Sequence, residues 1–186
     1  MKRINMRKKL ILALSAMAIF LIGGCANVGE GSLRPSEDTT FKEMKTTDIT
    51  GNESDSSIFF ENKLTLVNVW NTGCTPCIDE IPILDKLNEE YKSNGVAIKG
   101  LLLESGEGLT DKEREVAEEI LSKSKSSYQQ LTMSKEMLEG NIFETLATFP
   151  TTFFIDSNGN IVHQIEGSDD YEGWKAKIET VLKGVE

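Results

Sequence analysis

Two cysteines three positions apart, in Cys74-Thr75-Pro76-Cys77, are the residues of this 186-residue chain best placed to do chemistry. They can form a small ring without closing a long loop, and Thr75 and Pro76 fill that ring. An apolar strand pattern runs into them and a helical pattern runs out. The first thiol therefore falls at a helix N-terminus, where backbone N–H groups and the helix dipole favour thiolate over thiol. This is the geometry of thiol–disulfide exchange. A purely structural, inert disulfide is a poor use of the pair, because so short a loop stabilises a fold little. One pair cannot build a four-ligand zinc site, and the single histidine, His163, lies 86 residues beyond Cys77. No metal and no cofactor is implied.

Several elements must position the pair. Residues 64–70, Leu-Thr-Leu-Val-Asn-Val-Trp, are apolar and β-branched enough for a buried central strand. After Cys74 the period changes to 3.6, with Ile78, Ile81, Leu84, Leu87 and Tyr91 on one face and Gly95 ending the helix. Pro82 lies inside this helix and is expected to kink it. Residues 96–103, apolar apart from Lys99, form a second strand, which implies a sheet covered on both faces.

Thr110 and Glu113 make a capping box for a helix to about residue 122. Val116, Ala117, Ile120 and Leu121 are expected inward, with Glu115, Glu118 and Glu119 on a solvated face. Weaker signals are an edge strand over 41–49, a polar turn over 51–57 and a short apolar segment over 58–60. Residues 128–131 read as a short strand, and 135–138 and 143–147 as helical turns. Residues 151–156 form a strand, Asn158-Gly159 carries a hairpin signal, and 161–165 return antiparallel. Residues 171–182 close the chain as a helix with Trp174, Ile178 and Val181 on one side. The order β–α–β–α–β–β–α is an α/β arrangement, a central mixed β-sheet flanked by helices.

The start of the chain is different in kind. Lys2, Arg3, Arg7, Lys8 and Lys9 carry no acid among them, and residues 10–22 form an apolar or small run of about 13 residues. That is short for a membrane span, which needs roughly 20, and suits a signal-peptide core. The run closes on Ile22-Gly23-Gly24-Cys25, which resembles a bacterial lipobox. The resemblance implies a signal peptide over 1–24 and lipid on Cys25. An uncleaved anchor or an ordinary secretory signal are the alternatives. Residues 25–40 are expected to be the lipidated cysteine and a flexible linker, leaving one domain over 41–186. Lipid would hold the mature chain on the outer face of the cell membrane, or on the periplasmic side where an outer membrane exists.

With Cys25 spent on lipid, Cys74 and Cys77 are left as a lone pair in a compartment where a disulfide can persist. Loss of residues 1–24 removes five of the 20 basic residues and none of the 30 acidic ones, for a net charge near −15. That surface argues against nucleic acid and against charge-driven membrane binding.

Taken together, Val67-Asn68-Val69-Trp70, the Cys74–Cys77 motif, Glu80-Ile81-Pro82 and Phe149-Pro150-Thr151-Thr152-Phe153 with its Asn-Gly hairpin resemble the thioredoxin superfamily. The likeness is to its extracytoplasmic branch of TlpA- and ResA-like thiol–disulfide oxidoreductases, and it covers roughly 41–182. It implies a thioredoxin-like fold with Cys74 as the exposed nucleophile and Cys77 as the more buried resolving thiol. It implies a cis Phe149–Pro150 bond facing the pair, whose backbone groups bind a substrate strand together with Thr75 and Pro76, and a proton-handling role for Glu80. A solvated Glu80 is the plainer alternative.

Two positions depart from the family pattern. Asn68 stands where cytosolic members have a buried Asp and cannot act as a base, which leaves that duty to Glu80 or solvent. Gly73 replaces the usual Trp before the first cysteine, which opens the surface beside Cys74. Trp70 reads as core and His163 as a surface strand residue.

The resemblance implies reduction of protein disulfides, with electrons from a membrane donor of the CcdA or DsbD type. It places the substrates among apocytochrome c heme-attachment cysteines and envelope or spore-envelope proteins, in keeping with cytochrome c maturation. The alternatives are a disulfide-forming oxidase of the same fold and a non-enzymatic lipoprotein binding module. A copper-delivery protein would want wider cysteine spacing and a placed histidine, and a thiol peroxidase its own peroxide motif; neither is visible.

Overall fold

The structure is a computed structural model and describes residues 38–104, 108–139, 141–144 and 146–185. The expected signal peptide, Cys25 and the linker as far as residue 37 lie outside the described residues. Strand β3 (Leu64–Trp70) is buried along its whole length and is the centre of the sheet. It pairs in parallel with β4 (Val96–Leu102), which pairs in parallel with the short β5 (Gln130–Thr132). On its other side β3 pairs antiparallel with β6 (Thr151–Asp156), which returns as β7 (Ile161–Glu166). The order β5-β4-β3-β6-β7 is the expected mixed sheet.

Successive side chains of a strand point to opposite faces, so β3 divides its residues between two layers. Leu64, Leu66 and Trp70 face helix α2 (Thr75–Tyr91) and helix α6 (Tyr171–Val185), together with Ile81, Leu84, Leu87, Trp174 and Ile178. Val67 and Val69 face the opposite layer, where Phe41, Phe59, Phe143 and Phe153 meet mostly edge to face. Both faces of the sheet are therefore dry, which is the condition a parallel strand pair needs. Helix α3 (Asp111–Ser124) starts at the expected capping box, Thr110 with Glu113. The β6–β7 turn is held by the Asp156 carboxylate, which accepts from the backbone N–H of Asn158 and Asn160 at 2.9 and 2.8 Å, with Gly159 at positive φ.

Several local expectations differ from the fold. The edge strand over 41–49 shrinks to β1 (Lys45–Thr47), which pairs antiparallel with β2 (Glu53–Asp55) inside the segment expected as a polar turn. Residues 58–60 belong to a short helix, α1 (Ser57–Phe60). The two helical turns are α4 (Lys135–Leu138) and α5 (Asn141–Glu144), the second beginning earlier than expected. Val116 is 39% exposed: α3 buries Ala117 and Leu121 and packs a partly buried Ile120 against the core, and Val116 lies outside that contact. Pro82 lies inside α2 as expected, with its side chain exposed. The hairpin β1–β2 also shields the sheet edge: Ile49 N–H donates to the Gln130 carbonyl at 2.8 Å and Thr132 Oγ1 to the Thr47 carbonyl at 3.0 Å. No helix among the described residues is long and apolar enough to cross a membrane.

Gly100 of β4 carries a packing constraint that reaches the loop before Cys74. The Gln130 side chain lies across the position where a Cβ would stand on Gly100, and its Oε1 accepts from the buried Trp70 Nε1 at 3.0 Å. Gly100→Ala should push Gln130 aside, leave that indole N–H unpaired and cost about 2–3 kcal/mol. Urea unfolding of the variant checks this; an unchanged midpoint would mean that Gln130 moves without penalty.

Candidate active site

Four residues separate the end of β3 from the start of α2, and side chains hold their backbone. Asn71 Oδ1 accepts from Gly73 N–H at 3.0 Å, and Glu104 Oε1 accepts from Thr72 N–H at 2.8 Å. This sets Cys74 in an extended conformation as the N-cap of α2. Its Sγ accepts from the backbone N–H of Cys77 at 3.3 Å, and the two cysteines are joined in a disulfide with Cα atoms 5.3 Å apart. Proline in the first turn leaves no helical hydrogen bond unmade, since those N–H groups have no partner within the helix.

The pair is asymmetric. Cys77 is fully buried, Cys74 is half-buried, and Thr75 and Pro76 are exposed. A reagent from solution meets Cys74 first. Once the disulfide opens, the Cys77 N–H and the positive end of α2 stabilise negative charge on the Cys74 sulfur.

Glu80, one helical turn beyond Cys77, is 1% exposed. Strand parity sends Asn68 to the α2–α6 face of β3, together with its antiparallel partner Thr152 on β6. Asn68 Nδ2 donates to Glu80 Oε1 at 2.8 Å and lies 2.9 Å from Thr152 Oγ1. Trp174 Nε1 reaches from α6 and donates to Glu80 Oε2 at 3.0 Å. Burial pushes the Glu80 carboxyl up to about 7, against the opposing pull of these donors, the Asp169 backbone N–H and the charge of Lys177. Desolvation wins. The group is thus poised to take and return a proton near neutral pH. Asn68 serves as a donor to the acid rather than as a base.

The Phe149–Pro150 bond is cis. Pro150 is buried and precedes β6, whose Thr151 pairs with Val69 near the end of β3, so it lies at the same end of the sheet as Cys74. The Pro150 carbonyl accepts from Gly167 N–H at 2.8 Å, and Phe149 packs against both core layers. His163 differs from a surface residue. It is half-buried with its ring 5.5 Å from that of Phe154, and burial and the charge of Lys177 hold it below the usual histidine range. Sequence reasoning placed Trp174 only as core and did not single out Thr152, Asp169 or Lys177. The available signal was the indole N–H, which needs an acceptor when buried. Among the described residues, no group of three or more His, Cys, Asp and Glu is arranged to hold a metal ion.

A mixed sheet with a C-x-x-C pair at the N-terminus of the helix that follows its central strand, and a cis-proline at the same end of the sheet, defines a thioredoxin-like protein. The chain belongs to the Redoxin family, whose model matches residues 36–182. It is 29% identical over 128 residues to the thiol-disulfide oxidoreductase ResA of Bacillus thuringiensis subsp. konkukian (strain 97-27), covering 68% of this chain and 65% of that protein. It spans a little under two thirds of that relative's length. The ResA of Geobacillus kaustophilus (strain HTA426) is 26% identical over 180 residues, 97% of each chain. Among solved structures, a thioredoxin family thiol:disulfide interchange protein from Chlorobium tepidum TLS superposes with a TM-score of 0.63 at 18% identity. That match covers 84% of this chain and 99% of the other.

The buried acid makes stability depend on pH. Between about 4.5 and about 7 the folded protein keeps the Glu80 proton that the unfolded chain has lost. Stability must therefore fall as pH rises through this window, by roughly 3 kcal/mol. Asp48, Asp156 and Asp169, all held below the usual carboxylate range, titrate at lower pH. Urea midpoints of the oxidised protein should drop from pH 5 to pH 8, and Glu80→Gln should flatten the drop. His163, held below the usual histidine range, works in the opposite direction within the window, so the Glu80 contribution is the difference between the wild-type and Glu80→Gln profiles; no difference would mean that Glu80 ionises as it does in water.

Proposed function

We propose that this chain is a thiol–disulfide oxidoreductase that reduces disulfides of proteins outside the cytosol while tethered to the membrane by lipid on Cys25. The observation that carries the reading is the asymmetric pair itself: a half-exposed Cys74 at a helix N-terminus, a fully buried Cys77 one turn in, and a buried acid with a pKa of about 7 one turn further. The Cys74 thiolate attacks one sulfur of a substrate disulfide, forming a mixed disulfide and releasing a substrate thiolate. Cys77 gives its proton to Glu80 and attacks Cys74 Sγ. The Cys74–Cys77 disulfide closes and the second substrate thiolate leaves. Two electrons pass to the substrate, and the pair is then reduced again by a membrane dithiol donor of the CcdA or DsbD type.

The basic, apolar, Gly-Gly-Cys opening of the chain supports signal cleavage before Cys25 and placement on the outer face of the membrane. Similarity to proteins named ResA supports the oxidoreductase class. Apocytochrome c heme-attachment cysteines and other envelope proteins are the proposed substrates. Phe149 and Pro150, at the same end of the sheet as Cys74, are the proposed backbone platform for the substrate strand, with Thr75 and Pro76 exposed beside it.

Cys77→Ala should accumulate a covalent complex with an oxidised protein substrate that runs as one band on a non-reducing gel and dissolves with dithiothreitol. Cys74→Ala should form none. Absence of the complex with Cys77→Ala would leave a binding module. The direction is read separately, by acid quench and mass-tagging of thiols in the native cell. A pair found mostly reduced supports the reductant, and one found mostly oxidised overturns that direction in favour of disulfide formation.

A further inference from the structure

The first turn of α6 is built around Glu80. The carboxyl group receives one side-chain donor on each oxygen, from opposite walls: Asn68 of β3 on Oε1 and Trp174 of α6 on Oε2. Trp174 is fully buried, and its indole N–H is directed to this carboxylate. A third donor is the backbone N–H of Asp169, in the turn that leads into α6. The Asp169 carboxylate in turn forms an ion pair with Lys177, whose Nζ lies 5.2 Å from the Trp174 ring centroid.

This closure depends on an absent side chain. A Cβ on Gly173 would overlap the Asp169 carboxylate, so only glycine lets the turn lie against the helix at that point. Asp170 caps the same turn, accepting at its Oδ1 from Gly173 N–H at 2.8 Å. The cation is thus held one residue away from the acid it influences. Had Lys177 paired with Glu80 directly, the carboxylate would stay ionised and could not return a proton.

We propose that Trp174 is a positioning residue for Glu80, and that the Asp169–Lys177 ion pair seated over Gly173 holds the first turn of α6 against it. The inference rests on the thiol–disulfide reading of the site and deepens it: the proton behaviour of the dithiol is set from the C-terminal helix. The groups that face Glu80 are Cys77 on its own helix, Asn68 of β3, Trp174 and Lys177 of α6, Asp169 of the turn, and Tyr128 ahead of β5. Burial holds Tyr128 above the usual tyrosine range, so it stays neutral where Glu80 titrates. Of the charged side chains, Lys177 acts on Glu80 directly, and its charge also acts on His163 of β7.

The test follows the Glu80 carboxyl carbon by NMR in oxidised full-length protein labelled with carboxyl-13C glutamate, with Glu80→Gln identifying the signal. Wild type should titrate near 7. Trp174→Phe keeps the ring but loses the donor, so the midpoint should move up and the ionised fraction at pH 7 should fall about five-fold. Lys177→Met removes the cation and the anchor of Asp169 and should move the midpoint the same way by a smaller amount. Because Lys177 is partly exposed, this variant keeps the ion-pair part of the proposal testable where Trp174→Phe does not fold, and an unmoved titration overturns that part.

A purely structural role would lower the unfolding midpoint of the variants and leave the titration where it was. Folded variants that titrate as wild type overturn the proposal. The readout needs no turnover: a moved titration without a Cys77→Ala trapped complex would refute the oxidoreductase reading while the positioning role stands, and the reverse result would refute the positioning role alone.

Discussion

One carboxyl group held out of water governs this site. Glu80 sits in the dry layer between β3 and the two long helices, where water can no longer solvate its charge. In water the group would be ionised throughout the neutral range and would have no proton to return. In a wholly apolar pocket it would never ionise there. The protein sets it between these limits by supplying donors, Asn68, Trp174 and the Asp169 N–H, while keeping the nearest cation on a neighbouring acid. The balance of desolvation against hydrogen bonding places its titration near neutrality, the range in which a thiol one turn away must lose and regain its own proton.

The surrounding architecture keeps that balance in register with the sulfurs. Period 2 on β3 and β6 directs Asn68 and Thr152 into one layer, and period 3.6 on α2 sends Cys77, Glu80, Ile81 and Leu84 into the same layer. The four residues between β3 and α2 then lift Cys74 to the rim, tied down by Asn71 and Glu104. The buried and exposed halves of the dithiol follow from where the helix begins relative to the strand end. Since Cys77 is fully buried, only Cys74 is open to attack or to be attacked from outside.

Legibility from sequence tracked the strength of periodic signals. Strands β3, β4 and β6, the helix after Cys74, and the capping box of α3 announce themselves through runs long enough to carry a period. The N-terminal hairpin did not: β1 and β2 are three residues each, and what makes them strands is pairing with one another and docking against the edge of β5. Val116 and His163 were misplaced for a related reason. An amphipathic face tells which side of an element turns inward but not how far its neighbour extends. α3 therefore buries only two residues, while β7 lays His163 against Phe154.

What the sequence determined by itself is the chemistry on offer: two thiols at C-x-x-C spacing after a buried strand, an acid one turn on, a late proline before a strand, and the order of elements that makes a mixed sheet. These are local matters, settled by spacing, period and residue type. Tertiary structure alone decided that Glu80 is buried, that Asn68 is its donor, and that Trp174, 94 residues further along the chain, closes the other side. No local pattern carries that information. A pKa near neutrality arises from the water excluded and the donors supplied when β3, α2 and α6 pack together, and those meet only in the folded chain.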